Sequence, residues 1–345
     1  MSQAPDAQVA SGATPGLAVQ TSVDRVVGAL DTAPVMPSGG SRGAKLRARM
    51  RKNKLVTCAA GVALLLCVLA IGGGPVAASL TGHPPNRQYD TALNAEGLPI
   101  GPLQRTYTAS GTAHDPHGQF FLLGADLLGR DQLVRALYGL RTSFTVAIGG
   151  ALLSIIVGIL LGVTAGYFGG VADAIISRAI EATLAFPTLL LGVGLALALG
   201  PGLLNVILVI SIFGWYYPAR IVRSVTISVR NLQYIEAATS LGASVPRILF
   251  RHVLPRVYSP MLIAGTSVVA SNVLFEASLS YLGLGVPPPG ATWGQMLSDA
   301  VGSGFYRIDP WLAIVPGVSL IVVVLTFNLL GDGLRDALDS RSSYL

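Results

Sequence analysis

From Glu236 to Pro255 the chain reads EAATSLGASVPRILFRHVLP, a compact acidic, small-residue and basic stretch set between strongly apolar segments. Ile235, Ala238, Leu241 and Val245 recur at three- and four-residue spacing, which predicts one oily stripe on a short helix. Gly242 follows, where a residue without a side chain lets the backbone turn or another surface approach. Ile248, Leu249 and Val253 make a second stripe with Arg247 and Arg251 beside it, and Pro255 is expected to close the element. Helix, turn and helix held against a membrane form either a docking surface for a protein or an interfacial helix resting on lipid. Glu276 is the other residue that could do chemistry, as the only acid well inside an apolar run; Asn272 lies one turn before it. Intramembrane ionisable groups are costly, which leaves Glu276 three roles: an interhelical hydrogen bond, a polar pathway, or proton coupling.

Bond-making chemistry finds no support. The phosphate-binding pattern GxxxxGK[ST] needs a lysine, and Lys45, Lys52 and Lys54 all lie outside such a motif. His83, His114, His117 and His252 show no ligand spacing with cysteines or acids, so no metal site is expected. Cys58 and Cys67 fall nine positions apart in one predicted span, roughly 13 Å along a helix, too far to bond. An intramembrane protease would need a paired nucleophile and base, and His252 and Ser267 fall in different segments. No catalytic residue is therefore expected.

The elements that carry these residues follow from composition. The chain has 345 residues, 52% of them hydrophobic and 12% charged, with a mean hydropathy of +0.62. Several runs of about 20 apolar residues can each cross roughly 30 Å of hydrocarbon. Because the runs are continuous and do not alternate with period two, the fold class is an all-α polytopic membrane protein and not a barrel. Residues 1–41, rich in Ala, Gly, Ser, Pro and Thr, read as a disordered cytoplasmic tail. Residues 42–54 carry seven basic residues immediately before span 1 at 55–74, as in an uncleaved signal anchor. An external loop with an interfacial helix is expected over 75–142, and a core over 143–335. The further spans are read at about 143–166, 180–200, 203–222, 259–285 and 311–330, followed by a cytoplasmic tail at 336–345. The arginines between spans four and five, Arg220, Arg223, Arg230, Arg247, Arg251 and Arg256, place residues 230–256 and both termini in the cytoplasm.

Gly158, Gly162 and Gly166 share one face of span two and permit a close helix approach. Pro187 is expected to kink or break span three locally. Trp293, Tyr306 and Trp311 read as an outer aromatic belt, and Trp215, Tyr216 and Tyr217 as an inner one. In the external segment, Asp126 is expected to cap an interfacial helix bearing Leu127, Leu128, Leu133 and Leu137, with Arg130 four residues on. Gly129 and Asp131 belong to the same motif.

The pattern Glu236-Ala237-Ala238, three residues, Gly242, nine residues, then His252-Val253-Leu254-Pro255 resembles the EAA loop of ATP-binding-cassette importer permeases. The resemblance covers roughly 44–340 and narrows to the dipeptide, oligopeptide and nickel branch. It is carried by LGADLLGRDQLVRALYGLRTSF at 123–144, by FEASLSYLGLGVPPPGATWGQML and by FNLLGDGLRDALDSR; Ala125, Val134 and Leu140 depart from the branch pattern. It implies a type I importer permease with six transmembrane helices, in the bacterial cytoplasmic (inner) membrane. Glu236, Ala237, Ala238, Gly242, Ala243, Arg247, His252, Leu254 and Pro255 become the residues coupling it to an ATPase. The implied partners are a second homologous permease forming a heterodimer, two ATP-binding subunits or domains, an external solute-binding protein and the lipid bilayer, with no nucleic acid. ATP and Mg would sit on the partners and no cofactor on this chain. The implied cargo is a short peptide, with nickel or glutathione as alternatives within the branch. A stand-alone ion-coupled transporter using Glu276 is the alternative outside it.

Overall fold

The structure, a computed structural model, describes residues 54–338. The tail expected at 1–41, all but the last residue of the basic segment, and 339–345 lie outside the described residues. Helix α1 (Lys54–Thr81) passes through a π turn at Leu69–Gly73 and stops at Gly82, whose φ of +71° ends the helical path. Leu64, Ile71 and Leu80 point outward, while Val56, Ala59 and Ala63 are buried. This one-sided burial is what a lipid-facing span requires. A Cβ at Gly333 would lie 2.3 Å from the Val56 side chain, so α1 packs closely on α10 (Trp311–Leu338).

Residues 82–131 form a small irregular lobe. Two short strands, β1 (Gln104–Arg105) and β2 (Phe120–Phe121), pair antiparallel, with Gln104 opposite Phe121. Tyr89, Ala92, Ile100, Phe121 and Ala125 make its core. Among the described residues of this lobe, the expected interfacial helix is absent. Residues 126–130 are a turn, and helix α2 begins at once, spanning Gln132–Phe168, eleven residues earlier than its apolar run suggested. Its cap is Asp131, whose side chain accepts from the Val134 N–H at 3.1 Å, and not Asp126.

Helices α3 (Gly170–Ala185) and α4 (Thr188–Leu199) meet at 92° around Pro187, so the expected break is present and sharper than a kink. Helices α5 (Leu203–Gly214) and α6 (Tyr216–Arg230) bend by 41°. Then come α7 (Gln233–Ser240), α8 (Val245–Tyr281), α9 (Trp293–Gly302) and α10. Among the described residues, four helices, α1, α2, α8 and α10, are long and apolar enough to cross a membrane, and up to six spans result if each bent pair counts as one. The expected span five at 259–285 is therefore the second half of a 37-residue helix. Pro255 does not end an element: a π turn at Leu249–Val253 precedes it, and the proline falls in the first turn of the α-helix that follows, where its missing N–H costs little.

Helix α2 is the axis of the bundle. Its glycine face meets α6 as expected: a Cβ at Gly158 would lie 2.5 Å from Pro218 Cβ, at Gly162 2.6 Å from the Ala219 carbonyl oxygen, and at Gly166 2.7 Å from Thr226 Cβ. The outer aromatic belt needs correction at Trp293. That residue is buried and donates its indole N–H to the Ala136 carbonyl at 3.0 Å, locking α9 against α2.

Candidate coupling surface and membrane cavity

The opening stretch folds as two helices joined by a left-handed glycine. Glu236 sits in the first turn of α7, where a carboxylate suits the positive helix end. Gly242, at φ +82°, closes that helix. Its N–H bonds the Thr239 carbonyl at 2.9 Å and the Ala243 N–H bonds the Ala238 carbonyl at 3.0 Å, the pattern of a Schellman cap. Helix α8 then starts at Val245.

One side of this pair is core. Ile235, Ile248, Val253 and Val257 pack with Val163, Val222 and Val229. The other side is open: Leu241 is 89% exposed and Phe250 72% exposed. The single apolar stripe expected from Ile235 to Val245 is thus split. Ile235 is buried and Ala238 half-buried, but the glycine turn swings Leu241 outward and leaves Val245 exposed. Glu236, Ala237, Gly242, Arg247 and Arg251 are exposed on this surface, and Ala243 is half-buried. Glu236 lines a groove of about 650 Å³ with Tyr167, Arg230, Thr239 and Val245. His252 and Leu254 are half-buried instead; the His252 ring lies 5.6 Å from that of Tyr234 and Leu254 packs on the core. Pro255 is exposed on the flank of α8.

An ion pair that no local sequence pattern announces steadies this end. Arg223 on α6 grips Asp173 on α3 with both Nε and Nη2, the second contact at 2.7 Å. The two residues lie 50 positions apart, and nothing in either local pattern pairs them.

In the membrane, a cavity of about 360 Å³ lies where both bent pairs break, lined by Thr188, Tyr216, Tyr217, Ser271, Asn272 and Phe275 among others. Tyr216 and Tyr217 therefore face a cavity within the bundle, which an aromatic belt does not require. Asn272 also donates its amide to the Ala147 carbonyl at 3.1 Å, fixing it to α2. Glu276 is set apart from this cavity. It is fully buried between α2 and α8, where its two oxygens accept from Ser143 at 2.8 Å and Ser280 at 2.6 Å. Of the three roles open to it, this geometry favours the interhelical bond. Glu276→Gln keeps an acceptor for one hydroxyl and a donor for the other, and should transport at close to the normal rate. Glu276→Leu strands both hydroxyls, at about 1–3 kcal/mol each, and should lower the melting temperature of the purified chain.

At the far end of α2, Asp126 organises the 126–131 motif. Its Oδ1 accepts from the Leu128 and Arg130 N–H groups at 2.9 Å each, and its Oδ2 meets Arg130 Nε at 2.7 Å and Arg135 Nε at 3.3 Å. Gly129, at φ +71°, passes so close to Tyr89 that a Cβ would lie 2.4 Å from its carbonyl oxygen. Asp131 meets His83 Nδ1 at 2.7 Å as well as capping α2. At the rim, partial burial raises the Asp299 carboxyl above its ordinary value, with Arg130 and Arg135 opposing the shift.

Residues 158–344 match the family described as "Binding-protein-dependent transport system inner membrane component". The chain is 38% identical over 246 residues to the oligopeptide transport system permease protein OppC of Bacillus subtilis, covering 70% of this chain and 80% of that one. It is 42% identical over 219 residues to the glutathione transport system permease protein GsiD of Pectobacterium atrosepticum, covering 64% and 72%. Among solved structures, an inward-facing form of the MetNI methionine ABC transporter aligns at a TM-score of 0.47 and 18% identity, over 59% of this chain and 96% of that one.

Proposed function

The chain belongs to the family of binding-protein-dependent transport system inner membrane components, as a multi-pass inner-membrane protein, and we propose that it is the permease subunit of an ATP-driven importer of short peptides. The observation that carries the reading is the exposed face of the 233–251 helix pair, whose reverse side is core. Leu241 and Phe250 are costly in water, and a protein surface that covers them lowers that cost. An ATP-hydrolysing partner would dock here, with ATP and Mg bound on that partner. Coupling is then mechanical. Helix α8 is continuous from Val245 to Tyr281, so motion imposed near Phe250 reaches Asn272, about 33 Å further along at 1.5 Å per residue. Asn272 lines the cavity between the bent pairs, where alternating access would open and close a path.

Two ATP-binding subunits or domains, a second homologous permease and an external solute-binding protein complete the proposed assembly. In that arrangement residues 230–256 and both termini lie in the cytoplasm. Peptide cargo is supported by the name of the oligopeptide relative, with glutathione, named for another relative, as the alternative. Purification from native membranes in mild detergent, with mass spectrometry of what is retained, tests the assembly. A second permease and a P-loop ATPase are the expected companions, and repeated recovery of the chain alone overturns the reading.

A further inference from the structure

On the face opposite the helix pair, a cavity of about 340 Å³ opens between the 126–132 turn, α9 and the start of α10. The separation is set by α2, which begins at this cavity with Gln132 and ends at the 650 Å³ groove with Phe168, about 55 Å away for 37 residues. The cavity is in the size range of small-molecule sites. Its wall is apolar at Leu127, Met296 and Leu312 and polar at Arg130, Gln132 and Asp299.

The polar groups are poised rather than spent. Arg130 is 8% exposed and its Nε is held by Asp126, yet among the described residues neither terminal nitrogen has a hydrogen-bond partner. Arg135, by contrast, is committed to the lobe, with Nη1 bonded to the Pro85 carbonyl and Asn86 Oδ1. Gln132 is 1% exposed and donates its amide to the carbonyls of Trp311 and Leu312, 3.2 Å each. Those two acceptors fix the amide's orientation and leave Oε1 buried without a donor. Asp299 stands exposed at the rim, within electrostatic reach of Arg130. Asp126 already answers two guanidinium Nε atoms, so the outer edge of Arg130 remains for an anion from outside.

We propose that this cavity is an outer subsite for a free short peptide, with the terminal carboxylate on the outer edge of Arg130, a peptide N–H available to Gln132, and the C-terminal side chain against Leu127, Met296 and Leu312. In a dipeptide the α-ammonium group faces Asp299. The inference rests on the peptide-importer reading, and it adds that the permease itself recognises a peptide terminus on the side where cargo is delivered.

The test is binding of tritiated alanyl-leucine to the complete importer in nanodiscs without its solute-binding protein. Saturable binding is expected, with the C-terminal amide of alanyl-leucine competing about tenfold or more weakly than the free acid, because it lacks the carboxylate. That comparison needs no variant and so does not depend on refolding. Arg130→Gln should lower affinity by a similar factor. Absence of saturable binding, or equal competition by acid and amide, overturns the proposal. ATP-driven alanyl-leucine uptake by the same complex with its binding protein separates the two claims. Uptake without cavity binding removes only the subsite, while failure of uptake removes the peptide-importer reading.

Discussion

Gly242→Trp is expected to abolish ATP-driven uptake while leaving normal amounts of the chain in the membrane. At φ +82° any side chain is strained, by about 1–3 kcal/mol, but a Cβ there meets nothing within 4 Å. The turn can therefore still form, and the indole projects from the same open face as Leu241 and Val245, where the proposed partner would approach. Gly242→Ala carries the strain without the bulk and separates the two effects. Uptake of labelled dipeptide by proteoliposomes holding the whole importer should fall more than about tenfold for Trp and by a smaller factor for Ala. Glu236→Lys, which reverses charge at the exposed start of α7, should act in the same direction as Trp. Unchanged uptake by the Trp variant would mean that nothing docks on this face.

Gly162→Leu should be more damaging still, and for a different reason. Its Cβ would come within 2.6 Å of the Ala219 carbonyl oxygen and 2.7 Å of Val222 Cβ. Backbone and a branched β-carbon cannot swing aside, so α2 and α6 must separate along a contact that also includes Gly158 and Gly166. Overpacking typically costs about 1–3 kcal/mol, and here the misfit falls in the bundle's central helix pair. The expected result is little chain in the membrane fraction and a large drop in melting temperature in detergent. Gly317→Leu, on α10 where a Cβ meets nothing within 4 Å, is the matched control and should melt close to the native chain. Equal melting of the two variants would contradict the close packing.

Features that follow from local pattern are legible in the sequence. The apolar runs, the break at Pro187, the glycine face of α2 and the turn at Gly242 each depend on residues near in sequence. What was not legible depends on partners far away. The apolar run alone suggests a start near 143, but the helix continues back through Arg135, which is buried and paired with Asp126. Asp126 and Asp131 are equally good caps by type, and only His83 and the lobe around Tyr89 decide that Asp131 sits at the helix end. Tryptophan favours the membrane interface, but a backbone acceptor at Ala136 lets Trp293 be buried. Pro255 read as a stop, and the preceding π turn removes the demand for its N–H. The Asp173 and Arg223 pair, and the two serines that hold Glu276, are meetings between elements that no spacing announces.

The central claim is that the open face of the 233–251 pair receives an ATPase. A photo-cross-linking amino acid at Leu241, 89% exposed, tests it in intact membranes, with the same group at Leu160, 64% exposed within the apolar run of α2, as the control. A covalent adduct between the Leu241 position and a P-loop ATPase subunit, absent from the Leu160 position, is the predicted result. Adducts to lipid alone from both positions would identify the pair as an interfacial helix resting on the membrane, and would contradict the coupling mechanism.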